Sequence, residues 1–375
     1  MNIAINTRLL LHGKLDGIGW FTYYTASIIA KKHPEHTFYF IFDRPYSKDL
    51  VFSQNVVPIV GFPPARHPIL WHFFFDYATP FLLKKYKIDL YISTDGYLPM
   101  RTNVPSVMVL HDLNFVHHPE WIEGSARKYL LNNFPLFAKK ATCIATVSRY
   151  SKEDIAVKYG IDKEKIDVVY NGINEQYTNI SADEIKAIRD IYTDGKPYFL
   201  YVGSLHERKN VRRLLQAFDI FKKKTNSPMK LMVVGGMFTK DYAYKIDTFL
   251  EYQHDIIFMG RASDALLTQL TPAAFATTFV PLFEGFGLPI LESYVCGVPL
   301  LTSDLTAIPE IAGDAAIFVD PYSIDSIATG MEKITTNDAL RATLIEKGFQ
   351  QAKKYSWQKT ADLLWQTVEK VMDKI

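Results

Sequence analysis

Residues 277–320 read TTFVPLFEGFGLPILESYVCGVPLLTSDLTAIPEIAGDAAIFVD, and the fold follows from this run. Thr277 to Leu282 is rich in β-branched and aromatic side chains and predicts a strand. Glu284-Gly285-Phe286-Gly287 breaks it, the two glycines allowing a tight turn and a close approach to a ligand. Leu288-Pro289 places a proline in the first turn of a helix, where its missing N–H costs nothing. The helix should run on to Cys296 and stop at Gly297. The result is a strand, a glycine turn and a helix whose free N–H groups and positive end suit a phosphate.

Glu284 sits at the rim of that turn. Glu292, four residues after Leu288, shares a face with the helix entrance. Carboxylates repel phosphate, so these two should face neutral hydroxyl groups on either side of it. A diphosphate flanked by sugars, as in a nucleotide sugar, meets both requirements.

With seven residues between them, Glu284 and Glu292 resemble the paired-glutamate signature of retaining glycosyltransferases of the GT-B fold, family 4. FEGFGLPILES and SDLTAIPEIAGDAAIFVDP are similar to that family's wording. The resemblance implies that Glu284 contacts the donor sugar and Glu292 the ribose. It implies donor contacts at Gly285, Phe286, Gly287 and Leu288 as well. The Ile308–Asp314 wording leans toward mannosyltransferases, implying GDP-mannose. It is closest over residues 105–320 and looser before Val104, where acceptor recognition is expected.

At 375 residues the chain suits two domains. Strands are predicted at Ile3–Asn6, Thr37–Asp43, Val56–Val60, Asp89–Ser93, Ser106–Leu110, Thr142–Val147 and Ile166–Tyr170. Between them stand helices at Trp20–Lys32, His72–Tyr86, Gly124–Lys140 and Tyr150–Tyr159. A second series has strands at Tyr198–Val202, Lys230–Val234, Ile256–Met259, Ala273–Pro281, Pro299–Thr302 and Ala316–Val319. Its helices are Val211–Lys224, Asp241–Tyr252 and Asp264–Thr271. Alternation of this kind predicts an α/β chain with two mostly parallel, Rossmann-like domains, residues 1–172 and 173–355, facing a central cleft. That is also the GT-B fold. The terminal helix, 356–375, is expected to return to the first domain, as in GT-B relatives, or else to pack on the second.

Gly203-Ser204-Leu205-His206-Glu207-Arg208-Lys209-Asn210 follows a predicted strand. The resemblance assigns Arg208 and Lys209 to the donor diphosphate, where preplaced cations would stabilise a leaving group gaining negative charge. Gly203, Gly235 and Gly260 end strands and are candidates for close backbone approach, with a bare turn the alternative at Gly235. Arg261 packs on the nucleotide base or points to solvent. His111 follows Val107–Leu110 at a strand end, and the resemblance gives it a donor-sugar hydroxyl. Gly17 and Gly19, in a loop before a helix near Trp20, stand where relatives carry a glycine pair, but Asp16 offsets them.

The formal net charge of +2 is not a nucleic-acid footprint. Two cysteines, Cys143 and Cys296, both in apolar runs, read as buried thiols of a reducing compartment. No apolar run approaches ~18 residues, so no transmembrane helix is expected. The expected place is the cytoplasm, at the inner face of the membrane if a surface patch meets it. Such a patch is one reading of Trp71-His72-Phe73-Phe74-Phe75 with Tyr77, Phe81, Lys84 and Lys85; a core helix is the other. The expected partners are a nucleotide sugar and a glycan or lipid-linked acceptor. No cofactor or metal is expected, since Arg208 and Lys209 would neutralise the diphosphate. An epimerase or hydrolase of the same fold, or a non-catalytic sugar-nucleotide sensor, are the competing functions.

Overall fold

The computed structural model describes residues 1–13, 15–236 and 250–375, so most of the helix expected at Asp241–Tyr252 lies outside the described residues. The chain forms two compact units, residues 1–172 with 356–375, and residues 173–355.

The first unit holds strands β1 (Asn2–Asn6), β2 (Thr37–Phe42), β3 (Val56–Val60), β4 (Leu90–Ser93), β5 (Ser106–Val109), β6 (Cys143–Thr146) and β7 (Ile166–Val168). They pair in parallel in the order β3-β2-β1-β4-β5-β6-β7. β4, β5 and β6 are buried along their whole length, as in a parallel sheet covered on both faces. The terminal helix, Trp357–Met372, packs here against the helix Gly17–Lys32. Trp357 stacks on Tyr24 at 4.8 Å and Trp365 on His33 at 3.7 Å. Gly172 passes so close that a Cβ would lie 2.1 Å from the Trp357 backbone N, which only glycine allows.

The second unit repeats the plan with β8 (Tyr198–Val202), β9 (Lys230–Val234), β10 (Ile256–Gly260), β11 (Ala276–Phe279), β12 (Leu300–Ser303) and β13 (Ala316–Val319). The order is β10-β9-β8-β11-β12-β13, again all parallel. Alternate residues of β8 serve separate cores: Phe199 and Tyr201 join Phe218 and Leu231, whereas Tyr198 and Leu200 join Met232 and Val234.

Four expectations change. The strand expected from Ala273 begins at Ala276, because the helix Asp264–Ala273, capped by Ser263, runs on through Ala273. The polar stretch before Pro197 contains a helix, Ala182–Thr193, opened by a Ser181/Glu184 capping box. The helix expected from Trp20 starts at Gly17, with Asp16 as its cap. Finally, His72–Tyr86 is three consecutive pieces, an α-helix at Pro68–Phe73, a π turn at Phe74–Ala78 and an α-helix at Thr79–Lys85. Phe74 and Phe75 enter the core while Phe73, Tyr77 and Phe81 stay exposed, so the core reading holds for the first two side chains and not for the other three.

Candidate active site

In the second unit the strand order reverses between β8 and β11, since β8 leads outward to β9 and β11 to β12. The loops leaving these two strands diverge and open a crevice at their carboxyl ends, where ligands bind in such sheets. The first loop carries Arg208 and Lys209, the second Glu284 to Gly287.

Asn210 ties the loops together. In a left-handed conformation (φ 61°), it donates through Nδ2 to the carbonyls of Val280 at 3.0 Å and Pro321 at 2.7 Å. The Leu282 amide donates to the Arg208 carbonyl at 2.8 Å, and the His206 ring Nδ1 accepts from the Arg208 amide at 3.1 Å. Backbone thus fixed, both cations converge on one atom. Arg208 Nη1 lies 2.6 Å and Lys209 Nζ 2.5 Å from Glu284 Oε1. Arg208 Nη1 also donates to the Phe283 carbonyl at 3.0 Å, and Lys209 Nζ stands 5.0 Å from the centre of the Phe279 ring. Burial alone would push the Glu284 carboxyl up, but Arg208 and Lys209 outweigh it and hold the carboxyl below its usual range.

Thr306 completes the support. Its Oγ1 accepts from the Glu284 amide at 3.2 Å, and its φ of 57° is a conformation that a β-branched residue rarely adopts. Beyond Glu284, residues 285–287 are buried, yet among the described residues no acceptor takes the amides of Gly285, Phe286, Gly287 or Leu288. Gly287, at φ 94°, caps the helix Leu288–Val295 without a side-chain bond. Buried amides of this kind call for a partner, and a phosphate is a fitting one.

The glycine mouth is packed against backbone. A Cβ on Gly235 would fall 1.8 Å from the Gly203 carbonyl oxygen. Gly203 donates to the Val234 carbonyl at 3.0 Å and Gly235 to that of Gly260 at 2.8 Å, lacing three strand ends together. These glycines serve the neighbouring loops first.

Glu292 is half-buried, and no hydrogen bond reaches its carboxyl among the described residues. Burial, with Asp264 adding to it against the opposing charge of Lys209, raises this carboxyl to about 7. The same field reaches Tyr177, whose hydroxyl is raised by burial first and by Glu292 next. The Asp264 carboxyl is itself raised by burial, with the charge of Arg261 opposing.

Three expected site residues belong to the first unit. His111 donates from Nε2 to the Thr94 carbonyl at 2.9 Å and meets the Phe21 ring edge-on at 5.1 Å. Burial lowers its pKa, so the ring is neutral and Nδ1 retains a lone pair. It is therefore an acceptor toward a hydroxyl. Gly17 and Gly19 lie in the first turn of the helix rather than in a loop, and the Gly19 amide is already taken by Asp16 Oδ1 at 2.9 Å. An amide contact from Gly19 to a ligand is corrected on this ground.

Sequence reasoning passed over Asn210, His206 and Thr306 as supports. Asn210 was the detectable one, since an Asn closing a loop before a helix suits a left-handed position.

Residues 15–177 match the family model Glycosyltransferase Family 4, and residues 183–351 match Glycosyl transferases group 1. The chain belongs to this family of glycosyltransferases, and its two parallel α/β units are those of the GT-B fold. O-antigen chain mannosyltransferase B of Escherichia coli is 29% identical over 278 residues, 74% of this chain and 73% of that protein. O-antigen chain mannosyltransferase RfbU of Salmonella typhimurium is 26% identical over 290 residues, 76% of each. The crystal structure of Anabaena Alr3699/HepE in complex with UDP and glucose superposes with a TM-score of 0.77 at 16% identity, over 99% of this chain and 100% of that one.

Proposed function

We propose that the protein transfers a hexose, mannose, from a nucleotide sugar to a hydroxyl of a glycan or lipid-linked acceptor, with retention of anomeric configuration and without a metal ion, in synthesis of a surface polysaccharide. The observation that carries this is the convergence of Arg208 and Lys209 on a single oxygen of Glu284, beside the unclaimed amides of residues 285–288. Arg208 and Lys209 meet at one oxygen of Glu284, and the donor diphosphate brings further negative charge to the same place. When the diphosphate enters, it competes with Glu284 for both cations, and the released carboxylate turns to the sugar hydroxyls. Arg208 and Lys209 then stabilise the charge that grows as the sugar–phosphate bond breaks. The leaving diphosphate takes the proton of the incoming hydroxyl on the same face of the sugar. Glu284, held ionised, favours the positive character of the ring and is not the base. Glu292 accepts from the ribose hydroxyls. The two O-antigen mannosyltransferases support mannose and the polysaccharide context.

A thermal-shift screen against UDP, GDP and ADP and their sugars ranks the donor, because a ligand of the folded state raises apparent stability by mass action. NMR of the product then reads the anomeric configuration, and EDTA tests the metal. GDP-mannose is expected to shift most, with retention and full activity in EDTA. An inverted product, or activity that EDTA removes and Mg²⁺ restores, overturns the mechanism.

A further inference from the structure

We propose that the helical segment Pro68–Lys85 of the first unit docks the protein on an anionic phospholipid surface. The proposal concerns a face remote in sequence from the donor loops and does not rest on the transferase reading. Ile69, Phe73, Tyr77 and Phe81 recur at every fourth position and are 61%, 51%, 52% and 64% exposed. In an uninterrupted α-helix a four-residue step drifts by about 40° around the axis, so such a row would wrap away from any flat surface. The π turn at Phe74–Ala78 winds less per residue and takes back that drift between Phe73 and Tyr77. It thereby keeps the row in line while sending Phe74 and Phe75 into the core. Phe62, 82% exposed, adjoins this segment, because Gly61 beside it lies against Phe74 and Leu82.

Charge at the end of the row selects the occupant. The Arg101 guanidinium stands 4.2 Å from the centre of the Tyr77 ring. Arg101, Lys84 and Lys87 line a pocket of about 450 Å³ beside the row. Of the nearby carboxylates, Asp89 accepts from the Asn2 amide and Asp76 pairs with His72. Cations bordering an aromatic and aliphatic row match a bilayer interface, where rings enter the headgroup boundary and lysines meet lipid phosphates. A second copy of this chain would bring the same basic rim against itself, so the charge pattern favours the lipid.

The test is sedimentation of the full chain with phosphatidylcholine vesicles, with and without phosphatidylglycerol, at low and high salt. Binding is expected only with the anionic lipid, and should weaken with salt. Phe73→Ser with Phe81→Ser, and separately Lys84→Glu with Lys87→Glu, should each reduce the bound fraction at least ~10-fold. All four side chains are exposed, so the melting temperature should not move. Absence of binding, equal binding to neutral vesicles, or insensitivity to both pairs of substitutions overturns the proposal. So does a wild-type dimer in light scattering that Phe73→Ser with Phe81→Ser converts to monomer, which would assign the row to a second copy.

Discussion

The two units share a strand order, and at the point where that order reverses they handle charge in opposite ways. In the first unit, Arg8 follows β1 and Asp95 follows β4. Arg8 Nε lies 2.5 Å from Asp95 Oδ2, and both are buried. Asp95 accepts also from Asn6 at 2.7 Å, Ser93 at 3.2 Å and the Tyr97 amide at 3.3 Å. The guanidinium stacks 4.3 Å from the Tyr97 ring centre and donates to the Ala65 carbonyl at 3.2 Å. Burial would lower the Arg8 pKa, but Asp95 foremost raises it, so the guanidinium stays charged. One cation meets one anion, and the carboxylate is fully used. In the second unit two cations share one oxygen, amides are left over, and Thr306 is strained. The same topology makes a single pair with a saturated carboxylate in one place and a meeting of two cations beside unbonded amides in the other.

The comparison breaks most visibly under deletion of the anion. Asp95→Ala leaves a buried guanidinium without its partner, and such losses cost about 3–5 kcal/mol. Urea denaturation should show that loss, and Arg8→Met combined with Asp95→Leu should recover only the part due to the stranded charge, because Asn6, Ser93 and the Tyr97 amide still lose their acceptor. Glu284→Ala should do the reverse, leaving stability nearly unchanged and tightening nucleoside-diphosphate binding in calorimetry. If Asp95→Ala proved as harmless as Glu284→Ala, the contrast between the two reversal points would be lost.

Next in size is the effect on turnover. Glu284→Gln is expected to slow transfer at least ~100-fold, as removal of one preorganised electrostatic contact does. Arg208→Lys should also be poor, because a point charge cannot reproduce the planar two-nitrogen fork that a guanidinium offers the donor diphosphate. Steady-state kinetics with saturating donor measures both. Near-normal rates for Glu284→Gln would remove it from the reacting centre.

How much of this is legible in the chain depends on the range of the signal. The parallel α/β class follows from short apolar strands alternating with helices, and the glycine turn at residues 285–287 from local composition. Glu284, Arg208 and Lys209 can be marked as strand-end residues. That the two cations land on one oxygen cannot be read, because it depends on β8 and β11 being neighbours, and strand order is not carried by periodicity. Arg8 looks like any cation near an N-terminus until β4 brings Asp95 beside it. Thr306 carries no signal either: a threonine at positive φ is dictated by the loop around it. Gly17 and Gly19 stand in a helix rather than a loop for a local reason, since Asp16 is a strong helix cap and starts the helix three residues early.

Thr306→Gly sharpens the reading of strain. Glycine suits φ 57°, so relief of strain should offset part of the lost hydroxyl and keep the melting temperature within a few degrees of wild type. Glu284 would lose the acceptor of its amide, and turnover should fall by about 3–10-fold, a smaller loss than for Glu284 itself. An unchanged rate would mean that Thr306 does not position Glu284.

The smallest effect concerns the pH response of donor affinity, and its sign separates Glu292 from Glu284. Glu284 is held ionised by its cations, so it does not titrate near neutrality. Glu292 is raised to about 7 by burial, so near neutrality much of it is protonated in the free protein. Two ribose hydroxyls donate best to an ionised carboxylate, and binding therefore selects the deprotonated form. Below the raised pKa, apparent affinity should follow the ionised fraction, climbing up to ~10-fold per pH unit and levelling off above about 7. A nucleotide sugar is the right probe, because its diphosphate diester does not titrate in this range. Glu292→Gln should flatten the profile while leaving kcat roughly unchanged, since contacts made equally in the ground and transition states affect KM alone. Calorimetry across pH 5.5 to 8.5, chosen as about a unit and a half either side of the midpoint, measures it. Affinity that fell with rising pH, or a slope surviving in Glu292→Gln, would take the ribose away from Glu292 and leave the crevice without a group to read it.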